Sequence, residues 1–184
     1  MVVGRAEYKL EGALRAFRVD LRGKTVLDIG SSTGGFTEMA LRAGAAKVIA
    51  VEKGTNQMKA PLRFDERVEL HEKTDIFEFV DAQPDVILAD VSFISLRDVL
   101  AYAKRVFAQP RKTDFLVMLK PQFEARPDQL VNGVLKNNRM RREIITDFEL
   151  WLKKNGFAVL GKRDNELAGR FGNVERFYYL KTTR

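Results

Sequence analysis

Apolar positions along this chain alternate between helical and strand rhythms. In Glu7 to Phe17 (EYKLEGALRAF), Leu10, Ala13, Leu14 and Phe17 recur at helical spacing, which predicts an amphipathic helix with Lys9 off its buried stripe. Gly23 breaks that pattern, and Thr25 to Ile29 reads as a buried strand. A helix from about Gly35 to Arg42 follows, then a strand KVIAVE (Lys47 to Glu52), a short helix over Asn56 to Leu62, and strands RVELHE (Arg67 to Glu72) and DVILAD (Asp85 to Asp90). Ser95 to Phe107 is helical through Leu96, Val99, Leu100, Ala103 and Val106, and DFLVMLK (Asp114 to Lys120) is a fifth strand stopped by Pro121.

From Pro121 to Asn138 the chain is polar and rich in turn residues, and its length suggests a functional loop. Arg139 to Lys154 returns to helical periodicity, with Met140, Ile144, Ile145, Phe148 and Trp151 or Leu152 facing a sheet, and Gly156 ends it. Phe157 to Lys162 and Glu175 to Lys181 read as the last strands. The stretch between them, RDNELAGRFGN, carries no apolar stripe. Strands joined by helical crossovers predict an α/β fold, a doubly wound, mostly parallel sheet of about seven strands, in one domain over residues 1–184. In such folds the ligand crevice lies at the carboxyl ends of the strands, and Gly30, Glu52, Asp75, Asp90 and Lys120 all fall at or near such ends.

Composition narrows the chemistry. With 184 residues, 45% of them hydrophobic, the chain supports one well-buried core. No apolar run approaches a membrane span, no long amphipathic membrane segment is present, and charged residues follow Met1-Val2-Val3-Gly4-Arg5 at once, unlike a signal peptide. Zero cysteines exclude disulfides, thiolate metal sites and cysteine nucleophiles, and His71 is the lone histidine. A metal-free, cytoplasmic protein is expected. The net charge of +7, from 32 Lys and Arg against 25 Asp and Glu, favours a phosphate-rich partner only modestly.

The loop Gly30-Ser31-Ser32-Thr33-Gly34-Gly35 follows Asp28 and precedes Phe36 at a strand-to-helix turn. Its glycines permit a sharp turn and close approach of a ligand, and the helix start offers unpaired N–H groups. Its spacing is not that of the dinucleotide fingerprint. Glu52 could accept hydrogen bonds from a ribose diol, which suits NAD and S-adenosylmethionine (SAM) alike; a tight turn beside an exposed glutamate is the plain alternative. Lys53 and Ile76 lie beside Glu52 and Asp75 in the expected cofactor crevice. Asp75 is as readily a helix cap or surface residue as a contact for an adenine end. Asp90 ends an apolar strand and should emerge in the crevice, with Lys120 at the matching position of the next strand. For Glu175 a cross-strand ion pair with Lys162 or Arg176 is an equal alternative, and Lys9 taken alone reads as a solvated helix residue. Arg139, Arg141 and Arg142 cluster after the polar loop and, with Arg5, are candidates for RNA phosphate contacts.

LDIGSSTGGFT (Leu27 to Thr37), DVSFISL (Asp90 to Leu96), KPQFE (Lys120 to Glu124), NGV (Asn132 to Val134), RREII (Arg141 to Ile145) and GNVE (Gly172 to Glu175) occur in this order. In them the chain resembles the hemolysin-A-like branch of the FtsJ-like ribose 2′-O-methyltransferases, over nearly its whole length. The resemblance implies a Rossmann-like class I methyltransferase that uses SAM and acts on ribosomal RNA or ribosomal subunits. It also implies a catalytic tetrad of Lys9 (YKLE), Asp90 (ADVSF), Lys120 (LKPQFE) and Glu175 (GNVE). Lys120 would assist removal of the hydroxyl proton between two carboxylates, and Lys9 would orient the ribose. Two departures stand out. Family members usually carry an S4-like RNA-binding domain ahead of the catalytic one, whereas this chain starts almost at the lysine. Ala6-Glu7 also stands where the family tends to have paired glycines. A small-molecule methyltransferase and a non-catalytic RNA-binding protein of the same fold are the alternatives. The first does not need the arginine cluster, and the second does not need the tetrad.

Overall fold

The structure, a computed structural model, describes residues 4–166, 169 and 172–183. Apolar side chains alternate along the central strands, so each strand feeds two layers. In β1 (Thr25–Ile29), Val26 faces one core while Leu27 and Ile29 face the other. The same split recurs in β4 (Val86–Ala89) and β5 (Asp114–Leu119), whose residues are buried throughout. One core is covered by α1 (Arg5–Phe17) and α2 (Gly35–Arg42), the other by α3 (Leu96–Val106) and α5 (Asn138–Lys154), giving a three-layer α/β/α stack.

With β2 (Lys47–Val51), β3 (Val68–His71), β6 (Phe157–Asp164) and β7 (Arg176–Thr182), the sheet has the order β3-β2-β1-β4-β5-β7-β6. Five strands are mutually parallel, and β7 runs antiparallel between β5 and β6. The expected doubly wound sheet is present. Strand order reverses between β1 and β4, so Gly30 and Asp90, which follow them, straddle the switch point. The antiparallel ladder of β5 with β7 ends at Leu119↔Arg176; one step further, Lys120 and Glu175 are the next facing positions.

Three expectations need correction. The helix expected over Asn56 to Leu62 does not form; a single 3-10 turn, Leu62–Phe64, stands at its end. Backbone N–H groups of Asn56, Gln57 and Met58 converge on the Glu72 carboxylate at 3.0, 2.6 and 3.1 Å; Asn56 is left-handed at φ 51°, and Pro61 disfavours helical backbone at the residue before it, which breaks the run. The chain from β3 to β4 crosses without a helix, so not every crossover is helical. The loop after Lys120 is also more ordered than its polarity suggested. Pro121 starts a short α4 (Pro121–Glu124), a 3-10 turn spans Pro127–Gln129, and Val131 bridges Val134. Of the stretch Arg163 to Asn173 read as irregular, residues 167, 168, 170 and 171 lie outside the described residues.

Candidate active site

At the switch point the chain encloses a cleft of about 680 Å³. Gly30, Ser32, Glu52, Asp75 and Asp90 line it together with the apolar Ile29, Val51, Ile76 and Val91. Gly30 has φ 80°, and a Cβ there would sit 3.0 Å from the Asp90 carbonyl oxygen, so both the turn and the closeness of β4 call for glycine. The Glu52 carboxylate accepts from Ser32 N at 2.9 Å and Gly54 N at 2.6 Å, tying the loop after β1 to the end of β2. Asp75 accepts from Lys53 Nζ at 2.8 Å and from Phe77 N at 3.1 Å. The lysine hydrogen bond holds Asp75 below the usual carboxylate range.

The glycines at 34 and 35 also meet packing demands within the chain. A Cβ on Gly34 would strike the Leu62 side chain, and one on Gly35 would lie 2.8 Å from Ala6 Cβ. These glycines let α1 and the 3-10 turn pack against the start of α2. Ala6-Glu7 therefore sits at a helix contact, with Glu7 buried and 3.4 Å from Arg42. Phe36 is buried in the core, its ring 6.0 Å from Phe177, and Thr33 is exposed; the residues lining the cleft do not include Thr33, Gly34, Gly35 or Phe36.

Beneath the loop, Asp28 is fully buried and accepts from Thr37 Oγ1 at 2.7 Å, while its Oδ1 has no partner among the described residues. Burial pushes its pKa up to about 7; the Asp90 and Glu52 charges add to the rise and the Thr37 hydrogen bond opposes it. Ser31 is buried as well, with its hydroxyl unpartnered.

The four candidate catalytic residues form two ion pairs. Lys120 Nζ, at the end of β5, lies 2.6 Å from Asp90 Oδ1 at the end of β4 and donates to Ser92 Oγ at 2.8 Å. The Lys120 ammonium thus compensates the charge on Asp90 Oδ1 directly. Lys9, from α1, donates to Glu175 Oε2, which also accepts from Asn165 Nδ2 at 3.3 Å. Side-chain exposures of 8% and 6% make this second pair a buried one. Lys120 is thus not held by two carboxylates: Glu175 is engaged by Lys9, and the alternative pairing of Glu175 with Lys162 or Arg176 is absent. Lys162 meets Glu149 at 2.7 Å and Arg176 meets Asp164 at 2.6 Å.

Phe93 went unmarked by the sequence reading. Its ring is 89% exposed at the cleft, its backbone is left-handed at φ 67°, and Phe123 lies 5.0 Å away. A bulky residue in that conformation, displayed to solvent, is a strained position of the kind found at functional sites. Only the combination of a lone aromatic with the strand-end motif could have drawn notice to it.

The basic candidates separate. Arg5, Arg139 and Arg142 are exposed, Arg139 meeting Glu143 at 2.9 Å. Arg141 is largely covered, donating to Asp164 at 2.8 Å and to the Val174 carbonyl at 3.2 Å, so it braces the chain just ahead of Glu175.

A family model described as FtsJ-like methyltransferase matches residues 2–182. The chain belongs to the FtsJ-like methyltransferase family. It is 36% identical over 180 residues to the 23S rRNA (cytidine-2′-O)-methyltransferase TlyA of Campylobacter jejuni, spanning 96% of this chain and 70% of that protein. It is 37% identical over 185 residues to the 16S/23S rRNA (cytidine-2′-O)-methyltransferase TlyA of Mycobacterium tuberculosis, spanning 98% and 68%. A crystal structure of a candidate hemolysin from Lactococcus lactis superposes with a TM-score of 0.92 at 36% identity, covering 99% of this chain and 88% of that one. The hemolysin-A-like resemblance and the methyltransferase fold expected from the motifs both hold. Among the described residues, no helix is long and apolar enough to cross a membrane, and no cluster of His, Asp and Glu could hold a metal ion.

Proposed function

We propose that this protein transfers a methyl group from SAM to a ribose 2′-hydroxyl of ribosomal RNA, alone or within a ribosomal subunit, in the cytoplasm, with residues 1–184 folding as one catalytic domain. The observation that carries this reading is Asp90. It lines the cleft and meets Lys120 at 2.6 Å, so a carboxylate and an ammonium stand together at the cleft wall, where they could orient a ribose hydroxyl and assist loss of its proton. The TlyA relatives, named for 2′-O-methylation of cytidine, support the same acceptor.

The cleft suits the cofactor: it has apolar walls for an adenine and carboxylates for polar edges, and its volume falls within the usual range for such ligands. Backbone groups of Gly30 to Ser32 would hold the methionine portion, Glu52 the ribose diol, and Asp75 with Ile76 the adenine end. Bound there, SAM supplies an electrophilic methyl group. Asp90 Oδ1 takes the hydrogen bond of the 2′-hydroxyl and turns the oxygen toward the cleft. Lys120, 2.6 Å from the same carboxylate, stands where it would assist removal of the hydroxyl proton. Lys9, fixed by Glu175, positions the ribose, and the exposed ring of Phe93 gives the acceptor base a stacking surface.

Incubation with methyl-labelled SAM and either protein-free ribosomal RNA or separated subunits tests the proposal. Label should appear at a single 2′-O position, resistant to alkaline cleavage on its 3′ side. Label confined to small molecules or to bases would overturn it.

A further inference from the structure

A second concavity, of about 500 Å³, opens on the far side of Lys9. Tyr8, Glu11, Gly12 and Arg15 form one wall along a single face of α1; Arg163, Asn165 and Glu166 stand opposite, over Ala13 and Phe177. Gly12 is the telling residue. It lies in the middle of a 13-residue helix, where glycine is among the weakest helix formers. Among the described residues, a Cβ at this position would meet nothing within 4 Å, unlike those at Gly34 and Gly35. No packing contact among them requires glycine at 12, yet its bare backbone lines the groove.

We propose that this groove seats the nucleotide adjoining the methylated one on a single RNA strand. The inference rests on the ribose-methylation reading above, because Lys9 is the residue shared by the groove and the tetrad. Four features match the chemistry of a nucleotide. Tyr8, with 54% of its surface exposed, offers a ring face for base stacking. Arg15 and Arg163 bracket the groove at positions suited to a phosphate, Arg163 exchanging its pairing with Glu166 for the phosphate. Glu11 and Asn165 provide acceptors for a base amine or ribose hydroxyl. The absent side chain at Gly12 lets the sugar-phosphate chain lie against the helix. A strand so placed enters over α1, passes Lys9 and presents its next ribose to Asp90 and Lys120.

Gly12→Leu tests the groove directly, since it fills open space and replaces a weak helix former with a strong one. Affinity for protein-free ribosomal RNA should fall at least tenfold, with SAM affinity by calorimetry and the melting temperature not reduced. Tyr8→Ala should weaken RNA about tenfold, as loss of one stacked base does, and Tyr8→Phe should recover most of that loss. If the wild-type chain methylates RNA while Gly12→Leu binds and methylates it equally well, the groove assignment is overturned and the tetrad reading stands. A wild-type chain inert toward RNA would overturn both.

Discussion

Glu124, four residues beyond Lys120, caps the helix that begins beyond Asp90: its carboxylate accepts from Ser95 Oγ at 2.8 Å and Leu96 N at 2.7 Å. Arg97 Nε approaches the same carboxylate at 3.4 Å. The segments carrying the Asp90–Lys120 contact are therefore fastened to each other by a buried carboxylate at the N-terminus of α3, where a negative charge is favoured. Glu124→Gln keeps the shape and removes the charge. Turnover should fall by about tenfold as the pair loosens, while SAM affinity by calorimetry stays within twofold. Unchanged turnover would reduce Glu124 to a simple helix cap.

Lys120→Ala should cost roughly 10² to 10⁴ in turnover with SAM affinity nearly intact, because the lysine acts on the acceptor. Since Lys120 and Asp90 meet directly, the double replacement should cost little more than either single one. Lys9 and Glu175 should form a second non-additive unit. Single-turnover rates of the four variants and the two double variants check both statements.

Glu52→Ala should weaken SAM by about 1 to 3 kcal/mol, combining a lost charged hydrogen bond to the cofactor with release of Ser32 N and Gly54 N. Isothermal titration measures it directly. Wild-type affinity in a folded variant would remove Glu52 from the cofactor site.

Asp28 makes cofactor-free stability depend on pH. With its pKa raised from 3.8 to about 7, the folded chain retains a proton that the unfolded chain releases between those values. Asp28 therefore contributes a decline in stability as pH rises through that window, complete above about pH 7. Asp28→Asn, still able to accept from Thr37, should flatten the decline and be more stable at pH 8 by roughly 1 to 3 kcal/mol. Urea denaturation at pH 5 and pH 8 gives the comparison.

Reversing the charges of Arg139 and Arg142 should weaken RNA binding and reduce its salt slope, as expected for exposed residues near phosphates. Arg141→Ala should instead lower the melting temperature, because its guanidinium braces Asp164 and Val174. Salt titrations of RNA affinity alongside thermal melts separate the two roles.

The crevice was legible in the sequence because β4, and β5 after its first residue, are unbroken apolar runs, so the first polar residue after each, Asp90 or Lys120, falls at a strand end. Partner choice was not legible. The motifs placed Lys120 between two carboxylates, but side-chain reach across the antiparallel β7 gives Glu175 to Lys9. Residues 56–62 misled the reading, since a left-handed Asn56 and the restriction Pro61 places on the residue before it leave no trace in apolar spacing. Arg141 resembled its neighbours until burial distinguished it, and Phe93 escaped notice because a single exposed aromatic has no pattern to belong to.

Lys9 and Glu175 are 166 residues apart in sequence, and Glu175 immediately precedes the strand that fills the gap between β5 and β6. During synthesis the first helix emerges with its lysine long before the partner carboxylate exists. A nascent chain can form much of the cleft, which is built from residues 29–94, before β7 slots into the sheet. Lys9 therefore gains the carboxylate that fixes it only after those residues have been made, and a chain stopped short of Glu175 leaves that lysine unanchored.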